Sequence, residues 1–355
     1  MTAQCYIFDR SMSMKTAETS LPQAPDRRIC VLFPGALGDF ICFLPALSQL
    51  ADDAQVDLLA RGEFAAIVPN PVKVTSLECY EVRRLFAPDA CRDEGLRKFF
   101  GGYSAVYSWL GSQLPEFVDQ LRRLSNRRAQ FFAFRPSGGP IHQMDYYRCC
   151  LNLAPDGALP LVHLRGEAIS WCQQFWIGHK LCHRPVLAIA PGSGAREKNW
   201  PEESYLAVMR WWRERTGGEV IVVVGPVEAE RGGVERLSAC AIVARSLELS
   251  ELAALLGRCD LYLGNDSGVS HLAAAVGVRT VALFGPSDER EWAPRGKKVT
   301  VLRRDIECSP CSNDAMKSCR HRACLNHLTA QQVIDHLAKL PELATLTRGG
   351  WGINV

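Results

Sequence analysis

One carboxylate, one ammonium group and two glycine-containing turns carry the chemistry that this sequence suggests. The carboxylate is Asp39, in the turn Pro34-Gly35-Ala36-Leu37-Gly38-Asp39. An apolar strand precedes the turn, and a helical pattern over 40–50, carrying Pro45, follows it. A doubly wound sheet places its ligands beyond the carboxyl end of such a strand, and a carboxylate there can take a proton. The same position also suits a helix N-cap, a common use of Asp. Gly35 and Gly38 alone do not make a dinucleotide fingerprint.

The ammonium group is Lys198, in Pro191-Gly192-Ser193-Gly194-Ala195-Arg196-Glu197-Lys198-Asn199-Trp200-Pro201. Gly192, Ser193 and Gly194 can present backbone N–H groups to oxygen atoms, and Lys198 adds a positive charge suited to phosphate. The Gly-Lys-Ser/Thr ending of a Walker loop is absent. A third turn, Asn265-Asp266-Ser267-Gly268-Val269-Ser270-His271, lies between two apolar runs and opens a helix. Asp266 or Ser267 can cap that helix, and Gly268 lets its start approach a ligand. Free N–H groups and the helix dipole favour an anion such as a pyrophosphate, with His271 one turn further on. A capped crossover with a buried histidine is the plainer reading of this turn.

Together these loops resemble glycosyltransferase family 9, the ADP-heptose:lipopolysaccharide heptosyltransferases. The matching residues are Gly38-Asp39 with Pro45, Pro191-Gly192-Ser193 with Lys198 and Trp200-Pro201, Gly225-Pro226 with Glu228, and Asp266-Ser267-Gly268 with His271. The resemblance runs from Arg28 to Leu340, and Ser267 stands where relatives often carry Thr. It implies an α/β GT-B fold, two Rossmann-like domains with parallel sheets facing across a cleft, and an inverting transfer without a catalytic metal. By the same resemblance, Asp39 beside Gly38 on the acceptor side is the base. Lys198, Ser193, the N–H groups of Ser267 and Gly268, and His271 meet the charge of the departing diphosphate. Gly192, Gly194 and Asp266 complete the donor loops, and Glu228 holds ribose hydroxyls, with Glu230 near enough to compete.

The elements that must position these residues form two βα arrays. Strands are expected at 29–33, 56–59, 73–76 and 105–108, then at 186–190, 220–224, 242–244, 261–263 and 281–284. Strands alternating with helices argue for parallel sheets. The expected division is a mobile leader over 1–26, an acceptor-side domain over 27–170, a nucleotide-sugar domain over 184–328, and a helix and tail over 329–355. A helix over 167–176 lies at the boundary, and a last helix over 330–340 is expected to pack back on the first domain, as in GT-B chains.

Composition agrees. A chain of 355 residues, 47% hydrophobic, can fill two cores, and a formal net charge of +3 gives no reason to invoke nucleic acid. No apolar run approaches the roughly 18 residues of a membrane span, and the leader lacks the apolar core of a signal peptide, so a cytoplasmic location is expected. The arginine pairs Arg83-Arg84, Arg122-Arg123 and Arg127-Arg128 read as a solvated face or as a surface for anionic lipid at the inner membrane. Fifteen cysteines fit reduced thiols better than a disulfide framework. Cys308, Cys311, Cys319 and Cys324 have spacings that could hold a structural zinc or iron, or simply pack a loop.

The reading is an inverting transferase that moves a heptose-type sugar from a nucleotide diphosphate to a lipopolysaccharide core. One alternative within the family is protein Ser/Thr glycosylation, with a metal in the cysteine cluster. Another is a non-catalytic nucleotide-sugar-binding scaffold, which would have less need of Asp39.

Overall fold

The computed structural model describes residues 27–137, 139–154, 157–341 and 343. The expected leader over 1–26 and most of the expected tail lie outside the described residues.

Two parallel sheets organise the chain. The first contains β1 (Arg28–Leu32), β2 (Gln55–Ala60), β3 (Lys73–Ser76), β4 (Ala105–Ser108) and β5 (Ala129–Phe131), in the order β3-β2-β1-β4-β5. The second contains β6 (Val186–Ala190), β7 (Glu219–Val224), β8 (Ile242–Arg245), β9 (Leu261–Asn265), β10 (Arg279–Phe284) and β11 (Val299–Arg303), in the order β11-β10-β9-β6-β7-β8. Strands covered on both faces read as unbroken apolar runs. That is why β6, Val-Leu-Ala-Ile-Ala, is buried at every position. All nine expected strands are present. Two more, β5 and β11, were not expected. β5 has only three residues, and β11 is an edge strand carrying Thr and Arg.

Strand order reverses between β1 and β4 in the first sheet and between β6 and β9 in the second. Loops leave the sheet in opposite directions at such a switch point and open a crevice there. The turn after β1 and the loops after β6 and β9 are the three loops that carry the sequence motifs.

The helix Leu37–Asp53, from the first sheet, packs against the helix Gly268–Val276, from the second. Leu37, Phe40, Ile41, Phe43 and Leu44 of the first, and Leu272, Ala273 and Ala275 of the second, join one apolar core that spans both halves. Phe33 stacks on Phe43 at 4.5 Å and Phe40 on Phe64 at 4.0 Å within it. Separate cores cover the outer faces, one around Phe100, Phe117 and Leu121, the other around Trp200, Tyr205 and Trp212.

The last described helix, Ala330–Leu337, corrects an expectation. It packs on the helix Glu202–Thr216 of the second half, with Val333 and Leu337 in the core around Trp212, and does not return to the first sheet. Those two residues lie four apart, so they share one face, and that face finds its apolar partner close by. The helix Gly166–Gly178, at the expected boundary, likewise packs on the helix Leu249–Arg258 of the second half.

The meeting of the two inner helices leaves no room for side chains at its tightest point. A Cβ on Gly268 would lie 2.9 Å from Gly38 N and 2.9 Å from Leu37 Cβ. Gly268→Ala should therefore cost about 1–3 kcal/mol of stability by overpacking, despite the roughly 1 kcal/mol that Ala gains in helix propensity. Urea unfolding measures this, and a variant as stable as the parent would mean that the helices separate freely.

Candidate active site

A cavity of about 830 Å³ opens between the two sheets and takes its walls from both. Gly38, Asp39 and Arg135 line it from the first half, and Gly194, Lys198, Asp266, Ser267, Gly268, His271 and Trp292 from the second. The fold thus brings together most of the residues that the sequence singled out.

Asp39 occupies the first turn of the helix Leu37–Asp53, but Ala36 holds the N-cap position, so Asp39 is no cap. The carboxylate is buried, and its Oδ1 accepts from Arg135 Nη1 at 2.7 Å and from the Tyr147 hydroxyl at 3.3 Å. Among the described residues, Oδ2 takes no hydrogen bond. The Tyr147 phenol is pushed well above its usual range by burial and by the charge of Asp39, so it stays a donor. The guanidinium of Arg135 lies over Phe134 at 4.2 Å and over Trp292 at 4.7 Å, between a ring of each half. One oxygen of Asp39 is thus held in place while the other is free to take a proton.

On the opposite wall, Lys198 Nζ donates to Asp266 Oδ2 at 2.7 Å, which ties the loop after β6 to the loop after β9. Ser267 stands at the N-cap of the helix Gly268–Val276, yet neither its hydroxyl nor Asp266 bonds the first-turn amides. Among the described residues, the N–H groups of Ser267, Gly268 and Val269 have no acceptor. Open amides at a helix N-terminus, with a lysine across from them, suit an anion.

The remaining predicted residues stand behind this wall. The Ser193 hydroxyl lies 2.6 Å from Ala195 O and 2.7 Å from Asn199 Oδ1, so it braces its own loop. The Glu228 carboxylate presses on Gly192, where a Cβ would come within 1.8 Å of Oε1, and Oε2 accepts from Gly225 N at 3.1 Å. Neither Gly192 nor Glu228 lines the cavity.

His271 is buried, and its Nδ1 lies 3.6 Å from Cys42 Sγ. Burial is the largest of the causes that push the imidazole down to about 4. It is therefore neutral near pH 7, a hydrogen-bonding group and not a cation. Two further contacts clasp the halves beside the cavity. Arg295 makes a bidentate pair with Asp145 at 2.5 and 2.6 Å, and His142 Nε2 lies 2.9 Å from Ala293 O.

Of the two readings of the cysteine cluster, the metal site finds no support. Among the described residues, no three His, Cys, Asp or Glu side chains converge in a way that could hold a metal ion. Cys311 Sγ donates to Cys308 O at 3.0 Å, Cys319 Sγ accepts from Arg322 N at 3.4 Å, and Cys324 is buried in the outer core of the second half. The thiols of Cys311, Cys319 and Cys324 are thus used locally, and Cys308 is exposed. Four of the surface arginines are also engaged locally: Arg84 with Asp89, Arg123 with Asp119, Arg128 with Tyr103 O, and Arg122 over the Phe131 ring.

Sequence reasoning missed Arg135, Tyr147, Trp292, Cys42 and Asn265. Arg135 follows β5, and recognising that short strand would have placed it at the carboxyl edge of the sheet. Asn265 adjoins a recognised motif. It is fully buried, accepts from Trp200 N and the Tyr205 hydroxyl, and donates to Pro191 O, which fixes the loop after β6 to the end of β9.

Residues 166–320 match a sequence model of the family described as glycosyltransferase family 9 (heptosyltransferase). Lipopolysaccharide heptosyltransferase 2 of Escherichia coli K12 is 27% identical over 88% of this chain and 98% of its own. Lipopolysaccharide heptosyltransferase 3 of Escherichia coli is 30% identical over 72% of this chain and 83% of its own. Among solved structures, a family 9 glycosyl transferase from Veillonella parvula superposes with a TM-score of 0.72 at 23% identity, covering 91% of this chain and 99% of that one. That likeness shows the fold.

The depressed pKa of His271 predicts an acid limb of stability. An unfolded histidine titrates near 6.5, and this one near 4 when folded. Between those values the unfolded chain binds more protons, so stability is full above about pH 6.5 and falls as pH drops towards 4. The loss from His271 is up to about 3 kcal/mol, and His142, also lowered chiefly by burial, acts in the same direction. His271→Gln should flatten this limb in urea unfolding at pH 4.5 and 7.5. An unchanged pH dependence would remove His271 as its source.

Proposed function

The chain belongs to glycosyltransferase family 9, the heptosyltransferase family, and from that premise we propose that it transfers a heptose from ADP-L-glycero-D-manno-heptose to a lipopolysaccharide core acceptor, with inversion. The observation that carries this reading is the pairing of opposite chemistries across one cavity. A carboxylate with a free oxygen faces a lysine and a row of open helix amides. On this reading, residues 27–170 form the acceptor side and 184–328 the donor side.

The acceptor hydroxyl attacks the anomeric carbon, and its proton passes to Asp39 Oδ2. The bond from that carbon to the diphosphate breaks on the opposite face, and its electron pair leaves with ADP. Lys198 and the amides of Ser267 and Gly268 meet the charge that grows there. Together they supply the positive potential that a divalent cation supplies in metal-dependent transferases, so the proposed transfer uses no metal. Arg135 and Tyr147 hold the base by its other oxygen. Glu228 and Gly192 shape the loop behind the donor. Because the acceptor is lipid-linked, the enzyme works at the cytoplasmic face of the inner membrane. Among the described residues, no helix is long and apolar enough to cross it.

The direct test is to incubate purified protein with ADP-heptose and a heptose-deficient core acceptor, and to follow the gain of one heptose by mass spectrometry. No gain with any core acceptor, together with transfer to a protein serine or threonine, would overturn the lipid reading. Asp39→Asn keeps the shape and loses the base, so kcat should fall by about a hundredfold or more while ADP affinity changes little. Near-parental turnover would exclude Asp39 as the base. Lys198→Ala removes a charge from the diphosphate and leaves Asp266 unpaired beside it. ADP affinity by titration calorimetry should drop roughly tenfold or more. Adding Asp266→Asn should recover part of that loss, because the two residues are coupled. Unchanged affinity in the single variant would place Lys198 outside the donor site.

A further inference from the structure

We propose that Cys42 is a positioning residue: its thiol donates to His271 Nδ1 and holds the imidazole in the tautomer whose Nε2–H is turned to the cavity. The ligand-directed half of this inference rests on the reading of the cavity as a diphosphate site. Cys42 lies in the helix Leu37–Asp53 and His271 in the helix Gly268–Val276, so the contact forms only where the two halves meet. Both side chains are buried, Cys42 completely and His271 to 3% exposure. The 3.6 Å separation of Sγ and Nδ1 suits a hydrogen bond to sulfur.

The direction of that bond follows from the two groups. A thiol is a weak donor and a weak acceptor, whereas the bare nitrogen of a neutral imidazole accepts well. Burial, with the nearby charge of Asp39, pushes the Cys42 thiol far up, so its hydrogen stays in place. The bond therefore runs from S–H to Nδ1, and the ring proton sits on Nε2. Among the described residues, Nε2 has no partner. The neighbouring Cδ2 lies against Gly38, 3.4 Å from where a Cβ would stand, and His271 lines the cavity. A phosphate oxygen held by the amides of Ser267 and Gly268 would accept from Nε2–H. The other tautomer would turn a lone pair on that oxygen and repel it. Which nitrogen of a histidine carries the proton is set in this way by the hydrogen bond that the other nitrogen makes.

Nitrogen-15 NMR of histidine-labelled protein at pH 7 tests the claim without substrate. His271 should show a protonated Nε2 and a bare Nδ1. Cys42→Ala should let the two tautomers mix and lower kcat about fivefold, the worth of one neutral hydrogen bond. Cys42→Ser should restore both readouts, which separates loss of the donor from loss of packing. ADP should shift the Nε2–H signal in the parent protein. A His271 protonated on Nδ1 would overturn the proposal, as would a single Nε2–H tautomer surviving in Cys42→Ala. ADP that binds without moving the Nε2–H signal would overturn the ligand-directed half. ADP that fails to bind overturns the functional reading instead, and the ligand-free spectra still decide the role of Cys42.

Discussion

Two helix amino-termini, one from each sheet, meet at Gly38 and Gly268, and a side chain on Gly268 would find no space there. The rest of the cavity depends on this approach. Each terminus carries about half a positive charge from its aligned peptide dipoles. Bringing two such ends together concentrates positive potential at one point, and the chain balances it with two carboxylates, Asp39 and Asp266. Each carboxylate in turn holds a cation, Arg135 or Lys198, so four side-chain charges surround the two dipoles. Gly268 is the residue that makes the approach geometrically possible.

The clasp beside the cavity uses different physics for the same end. Arg135 joins the halves through cation–π contacts with Phe134 and Trp292, while Arg295 joins them through a bidentate carboxylate pair. A guanidinium suits both tasks because it is planar and weakly hydrated. The apolar core shared by the inner helices continues beneath these contacts. Asp39 and, on the opposite wall, Lys198 are therefore held by a packed interface and not by loops alone, which is the condition for a preorganised site.

Burial also decides what the polar residues of the site can be. His271 is kept neutral near pH 7 by desolvation, so it can offer a neighbour a directed N–H and not a charge. Asn265 is satisfied on three sides and serves as a strut. Ser193 is spent on its own loop. Lys198, by contrast, keeps a side chain that reaches the cavity.

Most of the nine expected strands were legible because parallel strands covered on both faces must be continuous apolar runs, and β6 and β7 show this plainly. The glycine turns after β1, β6 and β9 were legible because few residue types allow a backbone to approach a ligand so closely. β5 was too short to register against its polar flanks, and Arg135 was lost with it. Tertiary structure alone decided which charges pair, since Asp39 with Arg135 and Lys198 with Asp266 lie 96 and 68 positions apart. It decided that the last helix packs on the second half, because the shared face of Val333 and Leu337 names a burial and not a partner. It decided that the four C-terminal cysteines make no metal-holding group among the described residues, because spacing permits a ligand set while only the backbone path can make the thiols converge. Local sequence sets which conformations and chemistries are available, and contacts between distant segments, worth little in any short stretch, select among them.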